Sequence, residues 1–378
     1  MHLKRCHSAV RHYGFYKPCA SLVKDGMAQT EGGEGNGGCP GEGEAERWLD
    51  SQRWAILQKV LKASHRTGGQ LGLYRCAPFD GKLPLAYIAS IRLAGLYLPF
   101  AMRNRFSPRL HVISAAKKAV SVIFRRGPSF STCTILWDRE KEKFALGQRL
   151  HGRIYSRRSD LSPDGKYMIY FAMNGRWHGQ AKGAWTAVSK APYLKALALY
   201  AKGDCWNGGG LFTGPRTYWL NDGRGHEQLQ STSLVSRDRE YSPEAPIGGE
   251  CPGIYYPRLQ RDGWTLAATE SDGDTSDAGI FEKELPKGWI LRKIAHGQIN
   301  APPGKGCYWD EHELTHAQSG QVLKKPDWEW ADFLDGRVAW CKAGKLYQAR
   351  LDSKSGLREE RCLRDFNEME FEPIAAPY

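Results

Sequence analysis

Close cysteine pairs are missing from this chain. Its ten cysteines never lie nearer to one another than 13 residues, and no CxxC occurs. Zinc-ribbon and thioredoxin-type sites therefore fail at the first step. At this low density the cysteines do not form a disulfide scaffold, and they read as buried, reduced thiols of a cytoplasmic protein. No secretory leader is expected either. Met1–Lys24 is basic, but it lacks the apolar run of about 7–15 residues that such a leader needs. There is no GxSxG nucleophile elbow. The glycine-rich stretch from Trp206 to Gly210 lacks the Gly-Lys-Ser/Thr that completes a P-loop. Counted from Asp272, the acidic turn has Asp277 at position six and Lys283 at position twelve, where a calcium loop needs Gly and Glu.

Acid is almost absent from one block. Residues 51–130 hold 14 Lys+Arg and a single carboxylate, Asp80, whereas residues 1–50 hold 6 and 7, and residues 131–378 hold 34 and 33. The net charge of +13 thus belongs to 80 of the 378 residues. Tryptophan divides the chain in the same place, with 11 of 13 after residue 130. Both shifts, with the turn chemistry of Arg125-Arg126-Gly127-Pro128-Ser129, put a boundary near 125–135. The expected organisation is a basic, Gly-rich, partly helical and poorly ordered extension over 1–130, followed by a folded part over 131–378.

Within the extension, Glu31–Glu44 carries seven Gly in 14 residues and cannot bury enough surface to offset its backbone entropy. Glu46–Lys62 has helical spacing of Leu49, Ile56, Leu57, Val60 and Leu61. Pro84–Met102 has the length of a membrane span, but Arg92 at its centre and Pro99 near its end oppose insertion. His111–Phe124 is a second apolar-basic stretch. Residues 51–130 could attach to nucleic acid or an anionic membrane through charge. No recognisable nucleic-acid module accompanies that charge, so this reading is the less favoured one.

The neutral part carries a repeat. Leu161-Ser162-Pro163-Asp164-Gly165-Lys166-Tyr167-Met168-Ile169-Tyr170-Phe171 is its clearest copy: a turn, then an apolar strand. Relatives begin at Asp262-Gly263 and Asp335-Gly336, and a degenerate one runs from Lys202-Gly203-Asp204 to Gly210-Leu211-Phe212. Asp-Gly suits a tight hairpin turn because Gly takes positive φ and Asp tolerates it. Second strands are read at Ala184–Val188, Thr217–Leu220, Gly279–Lys283 and Lys345–Leu351, and an outer strand at Trp289–Ile294. Short strands in groups of about four, recurring every 40–50 residues or so, are the mark of a β-propeller. The tract SPDGKYMIYF resembles the blade motif of WD40-like and TolB-type β-propellers. That resemblance implies an all-β fold of four to five blades, and it implies no function, because propellers host many. Residues 131–378 also resemble uncharacterised bacterial proteins.

Two constellations suggest catalysis. His312-Glu313-Leu314-Thr315-His316 is a literal HExxH, which on a helix would place two imidazoles on one zinc ion and a carboxylate on its water. Its flanks read as strand and turn, and on a strand His312 and His316 would stand roughly 13 Å apart. Glu311, Glu313, Asp327, Glu329 and Asp332 lie among Trp309, Trp328 and Trp330, the residue types of a sugar-cleaving site. The plainer reading makes the tryptophans core and the acids loop residues. The sequence leaves the ligand and the reaction unknown. Its leading expectation is a binding or scaffold module without metal or cofactor, engaging a protein or small ligand at one rim. A glycoside hydrolase, and after it a zinc hydrolase, are the alternatives.

Overall fold

A computed structural model describes residues 107–127, 130–223, 225–243, 251–271, 276–298, 302 and 305–378. All of them belong to the compact unit spanning Leu98–Tyr378. The Gly-rich tract, the Glu46–Lys62 helix and the Pro84–Met102 stretch lie outside the described residues. Among the described residues no helix is long and apolar enough to cross a membrane.

The described chain is all-β apart from one α-helix and a short 3-10 turn, and it is divided among five open sheets. The first holds β1 (Arg109–Ser114), β2 (Val120–Arg126), β3 (Ser131–Asp138) and β4 (Lys143–His151) in that order, each antiparallel to the next. The boundary expected near 125–135 therefore falls inside a sheet, between β2 and β3. Residues 109–126 are strands, not part of a loose extension, because both of their faces are apolar. Leu110, Val112 and Ile123 pack to one side, while Ile113, Val122 and Phe124 pack to the other. Composition alone had weighed the arginines of this stretch and missed that double pattern.

The second sheet is formed by β5 (Arg153–Leu161), β6 (Tyr167–Met173), β7 (Ala184–Lys190), β8 (Ala196–Ala201) and β11 (Glu227–Gln230). The third, with β9 (Gly210–Phe212), β10 (Thr217–Leu220) and β12 (Ser236–Arg237), is small. Helix α1 (Pro252–Arg261) follows. The fourth sheet runs β13 (Thr265–Ser271), β14 (Ser276–Glu284), β15 (Trp289–Gln298), β16 (Tyr308–His316) and β17 (Val322–Lys325). The fifth runs β18 (Trp330–Leu334), β19 (Arg337–Lys342), β20 (Lys345–Asp352) and β21 (Gly356–Asp365).

The repeat supplies these turns in different ways. At Ser162–Gly165 the Ser162 hydroxyl binds Asp164 and accepts from the Tyr167 N–H at 2.9 Å, and Gly165 takes φ +73. Asp335 and Gly336, at φ 50 and 77, form a two-residue hairpin between the paired Leu334 and Arg337. Asp262-Gly263 is no hairpin: it ends α1, with the Gly263 N–H on the Gln260 carbonyl. Trp289–Ile294 is the start of β15, which lies in the middle of its sheet and not at the edge, because β16 and β17 add beyond it.

Packing follows from sheets that are apolar on both faces. The first sheet meets the fifth through Leu110, Ile123 and Trp137 against Trp330 and Cys341, with Phe366, just past β21, in the same cluster. It meets the second through Ile113 and Phe124 against Ile154, Met168 and Tyr170. Ile169, Val188 and Tyr200 of the second sheet face Phe212, Tyr218 and Leu220 of the third. Fourth and fifth sheets join through Trp289, Leu291, Leu314, Trp328 and Trp340, with Tyr255 and Tyr256 of α1 in the same cluster. Trp328 and Trp340 stack at 4.6 Å between centroids.

Candidate functional site

The second sheet opens with an irregular strand. Tyr155 pairs with Phe171 and Asp160 with Ile169, so five steps along β5 oppose two along β6. The extra residues, Ser156 to Ser159, form a bulge, a device that re-aims side chains out of a ladder. Here it turns two arginines inward. Arg157 donates to the Asp310 carboxylate at 2.5 Å and to the His296 carbonyl at 3.1 Å, both in the fourth sheet. Arg158 donates to the carbonyls of Cys205 and Asn207 and to the Cys251 sulfur.

A bulge leaves carbonyls without ladder partners, and burying them bare would cost free energy. Helix α1 supplies the missing donor: Arg258 bonds the carbonyls of Ser156 and Ser159. Its Nη2 faces His111 Nε2 at 3.2 Å. His111 is buried beside Arg258, Lys293, Arg157 and Arg126, and burial first, then these cations, push its pKa well down, so the ring is neutral and accepts. One turn on, Arg261 grips the buried Asp160 with a two-pronged contact at 2.6 and 2.9 Å. Asp160 also accepts from the Phe212 N–H at 2.7 Å. The helix thus pins β5 to β9.

The floor of this cluster comes from β15 and β16. Tyr255 donates to Asp310 at 2.8 Å. Lys293, 1% exposed, lies over the Trp264 ring at 4.5 Å and within 3.4 Å of the Tyr255 hydroxyl. Burial holds its pKa down to about 8, against the pull of Asp310 and Asp332. Asp310 stays well ionised despite burial, because Arg157, Lys293 and the Tyr255 hydroxyl stabilise its charge. Two buried carboxylates therefore serve these basic residues: Asp310 stands beside Arg157 and Lys293, and Asp160 is the leading favourable charge on Arg258.

At the start of β1 the arginines next to this basic core are less deeply buried. Arg109 and Arg126 are directly opposite partners in the β1–β2 ladder, so two like charges share one face, an unfavourable pairing. Both are half-buried. Arg126 has its pKa lowered to about 10, by burial first and then by Arg109, with Arg153 and Arg157 adding to the repulsion. Among the described residues the acid that opposes them there is Glu329. It accepts from the Leu110 N–H at 2.9 Å, and burial raises its pKa. Arg109 donates to the Lys305 carbonyl at 2.7 Å. Arg153 is exposed and lies over the Phe130 ring at 5.8 Å.

The catalytic candidates of the sequence fare differently. HExxH lies along β16, and the period of two puts His312 on the buried face and Glu313 on the other. His312 Nδ1 donates to the Trp328 carbonyl at 3.0 Å. His316, at the strand end, packs on Trp289 and binds Ser319. Two imidazoles spaced this way do not converge on one ion, and no grouping of three or more His, Cys, Asp or Glu fit to hold a metal occurs among the described residues. The five carboxylates are not gathered either. Glu311 faces His296 at 3.8 Å, Glu313 faces Arg292 at 3.6 Å, Asp332 binds Lys283 at 2.6 Å and Asp327 binds Lys342. Trp328 and Trp330 are core residues, and Trp309 is covered on one face by His296 at 4.6 Å. Of these residues only Glu329 reaches Arg109 and Arg126.

Sequence reading missed Arg157, Arg258 and Lys293. One signal was present: Arg157-Arg158-Ser159-Asp160 breaks strand alternation just before the Ser162–Gly165 turn.

Gly209 locks the bulge from behind. It takes φ +79, and a Cβ there would meet the Arg158 carbonyl oxygen at 1.9 Å. Gly209→Ala is expected to cost at least about 1–3 kcal/mol from its backbone conformation alone. Urea unfolding checks this, and an unchanged midpoint would mean that the loop does not press on the bulge.

No family model matches the chain, and no curated protein matches it. Among solved structures, a mutant of Synechocystis apocarotenoid oxygenase is similar at 10% identity, with 69% of this chain and 49% of that chain covered, at a TM-score of 0.14. The WD40 repeats of RRP9 are similar at 11% identity, covering 67% of this chain and 84% of that chain, at 0.18. This chain spans about half the length of the oxygenase it matches. At such TM-scores neither likeness carries an argument.

Proposed function

We propose that the five sheets are the blades of a β-propeller and that the protein is a binding module for a negatively charged partner. The ring is supported by contacts that return to their start: the fifth sheet packs on the first, as the first does on the second. The single observation that carries the function is the charge at one end. Arg109, Arg126 and Arg153 gather near Arg157, with Glu329 the opposing acid among the described residues. A low-dielectric wall strengthens the field of such a cluster at the mouth. The residues that suggested hydrolysis are held in strand ladders and ion pairs instead. Of the described cysteines, Cys133, Cys251 and Cys341 are buried thiols of the core, whereas Cys205, Cys307 and Cys362 are exposed, against the expectation that the cysteines are buried.

Charge reversal tests the rim. Arg153→Glu with Lys305→Glu should lower the salt needed to elute the full chain from heparin. Lys117→Glu with Lys118→Glu, equal in charge but at the β1–β2 turn, should lower it less. Identical elution of the two variants would show only net charge and would defeat the reading.

A further inference from the structure

The rim carries a more specific feature than its charge. Arg126 is half-buried at the end of β2 with like-charged Arg109 opposite it in the ladder. Among the described residues no hydrogen-bond acceptor engages its guanidinium. Arg109 commits one nitrogen to the Lys305 carbonyl and keeps the rest of its fork. An unpaired half-buried guanidinium beside a second one is unfavourable for folding alone, and an incoming oxyanion would relieve both costs.

We propose that Arg109 and Arg126, with Arg153 at the lip and Arg157 beneath, form the seat for a terminal phosphate monoester of a ligand bound at this rim. The inference rests on the rim reading above and adds the ligand's chemical class. Planar guanidinium forks match phosphate oxygens in pairs. A single carboxylate is already supplied by Glu329 and leaves the excess cationic charge standing, whereas a dianion with three acceptor oxygens answers more of it. The seat is recessed, since Arg157 is buried and Arg126 half-buried. A terminal phosphate can enter, while a phosphodiester inside a duplex carries backbone on both sides.

Calorimetric titration of the full chain with phenyl phosphate and with phenyl sulfate separates a dianion from a monoanion of similar shape. Phenyl phosphate should bind saturably, about ten-fold or more tighter than phenyl sulfate, and weaken with salt. Arg126→Ala should lose about ten-fold or more in affinity, and Arg126→Lys should recover part of it. The thermal midpoint of Arg126→Ala should be equal to or above that of the parent, because a like-charge contact has gone. A marked fall would make Arg126 structural and overturn the proposal. Sedimentation with phosphatidylcholine vesicles containing phosphatidic acid assigns the source: loss of co-sedimentation in Arg126→Ala names a lipid headgroup, and its loss only with phenyl phosphate names a soluble ester. Equal binding by parent and Arg126→Ala in both arms overturns the proposal, as does no saturable binding by the parent. Should that occur while Arg153→Glu/Lys305→Glu still shifts heparin elution more than the control pair, the rim reading stands without this seat.

Discussion

Asp310→Asn is expected to lower the free energy of unfolding by about 3–5 kcal/mol, the range for removing one partner of a buried ion pair. Asp310 accepts from Arg157 and Tyr255 and is the leading favourable charge on Lys293. Its loss strands Arg157 and Lys293 in a core that also contains Arg258. Asparagine keeps the volume, so the effect isolates charge. Adding Lys293→Met, which removes one stranded cation, should recover part of the loss, and a double-mutant cycle by urea unfolding reads the coupling directly. Strictly additive single effects would show that Asp310 and Lys293 do not interact. A small cost for Asp310→Asn would mean that water reaches the cluster. Stabilities of single domains lie near 5–15 kcal/mol, so a loss of this size threatens folding itself.

Acid should destabilise the chain steeply, with His312 a principal cause. Its ring is 1% exposed. Burial first and then Lys293 hold its pKa down to about 3 in the folded chain, while an unfolded histidine titrates near 6.5. Between these values the unfolded state binds the extra proton. Stability therefore falls as pH drops from about 6.5 to 3, by about 1.4 kcal/mol per unit for this one group. His111 adds loss in the same direction. Lys293 works in the same sense at higher pH: with a folded pKa of about 8 against 10.5, its buried charge is a full cost below about pH 8 and is relieved as pH rises toward 10.5. Urea midpoints of the parent and His312→Asn, measured from pH 7.5 to 4.5, should converge as pH falls. Parallel curves would remove His312 from the account.

Much of the β framework was legible because local chemistry dictates it. Asp335-Gly336 could do little but turn, since its two residues accept left-handed backbone. Ser162–Gly165 builds its turn from its own side chains. Strand period by itself also separates His312 from His316. The β1–β2 hairpin was obscured, because its arginines dominated the composition while its apolar residues alternate toward two different neighbours. Asp262-Gly263 was misread as a hairpin because the same dipeptide ends a helix as readily as it turns a strand.

The amino-acid sequence by itself determined that the carboxy-terminal part is made of short aromatic-rich strands, with tight turns at Ser162–Gly165 and Asp335-Gly336, for those are one-to-ten-residue decisions of backbone sterics and side-chain period. Only the tertiary structure decided where the charge goes. The β5 bulge, the helix that satisfies it, and the meeting of Arg126 with Arg157 depend on residues tens to hundreds of positions apart. A charged side chain carries no local mark of whether it will face water or the packed interior between sheets.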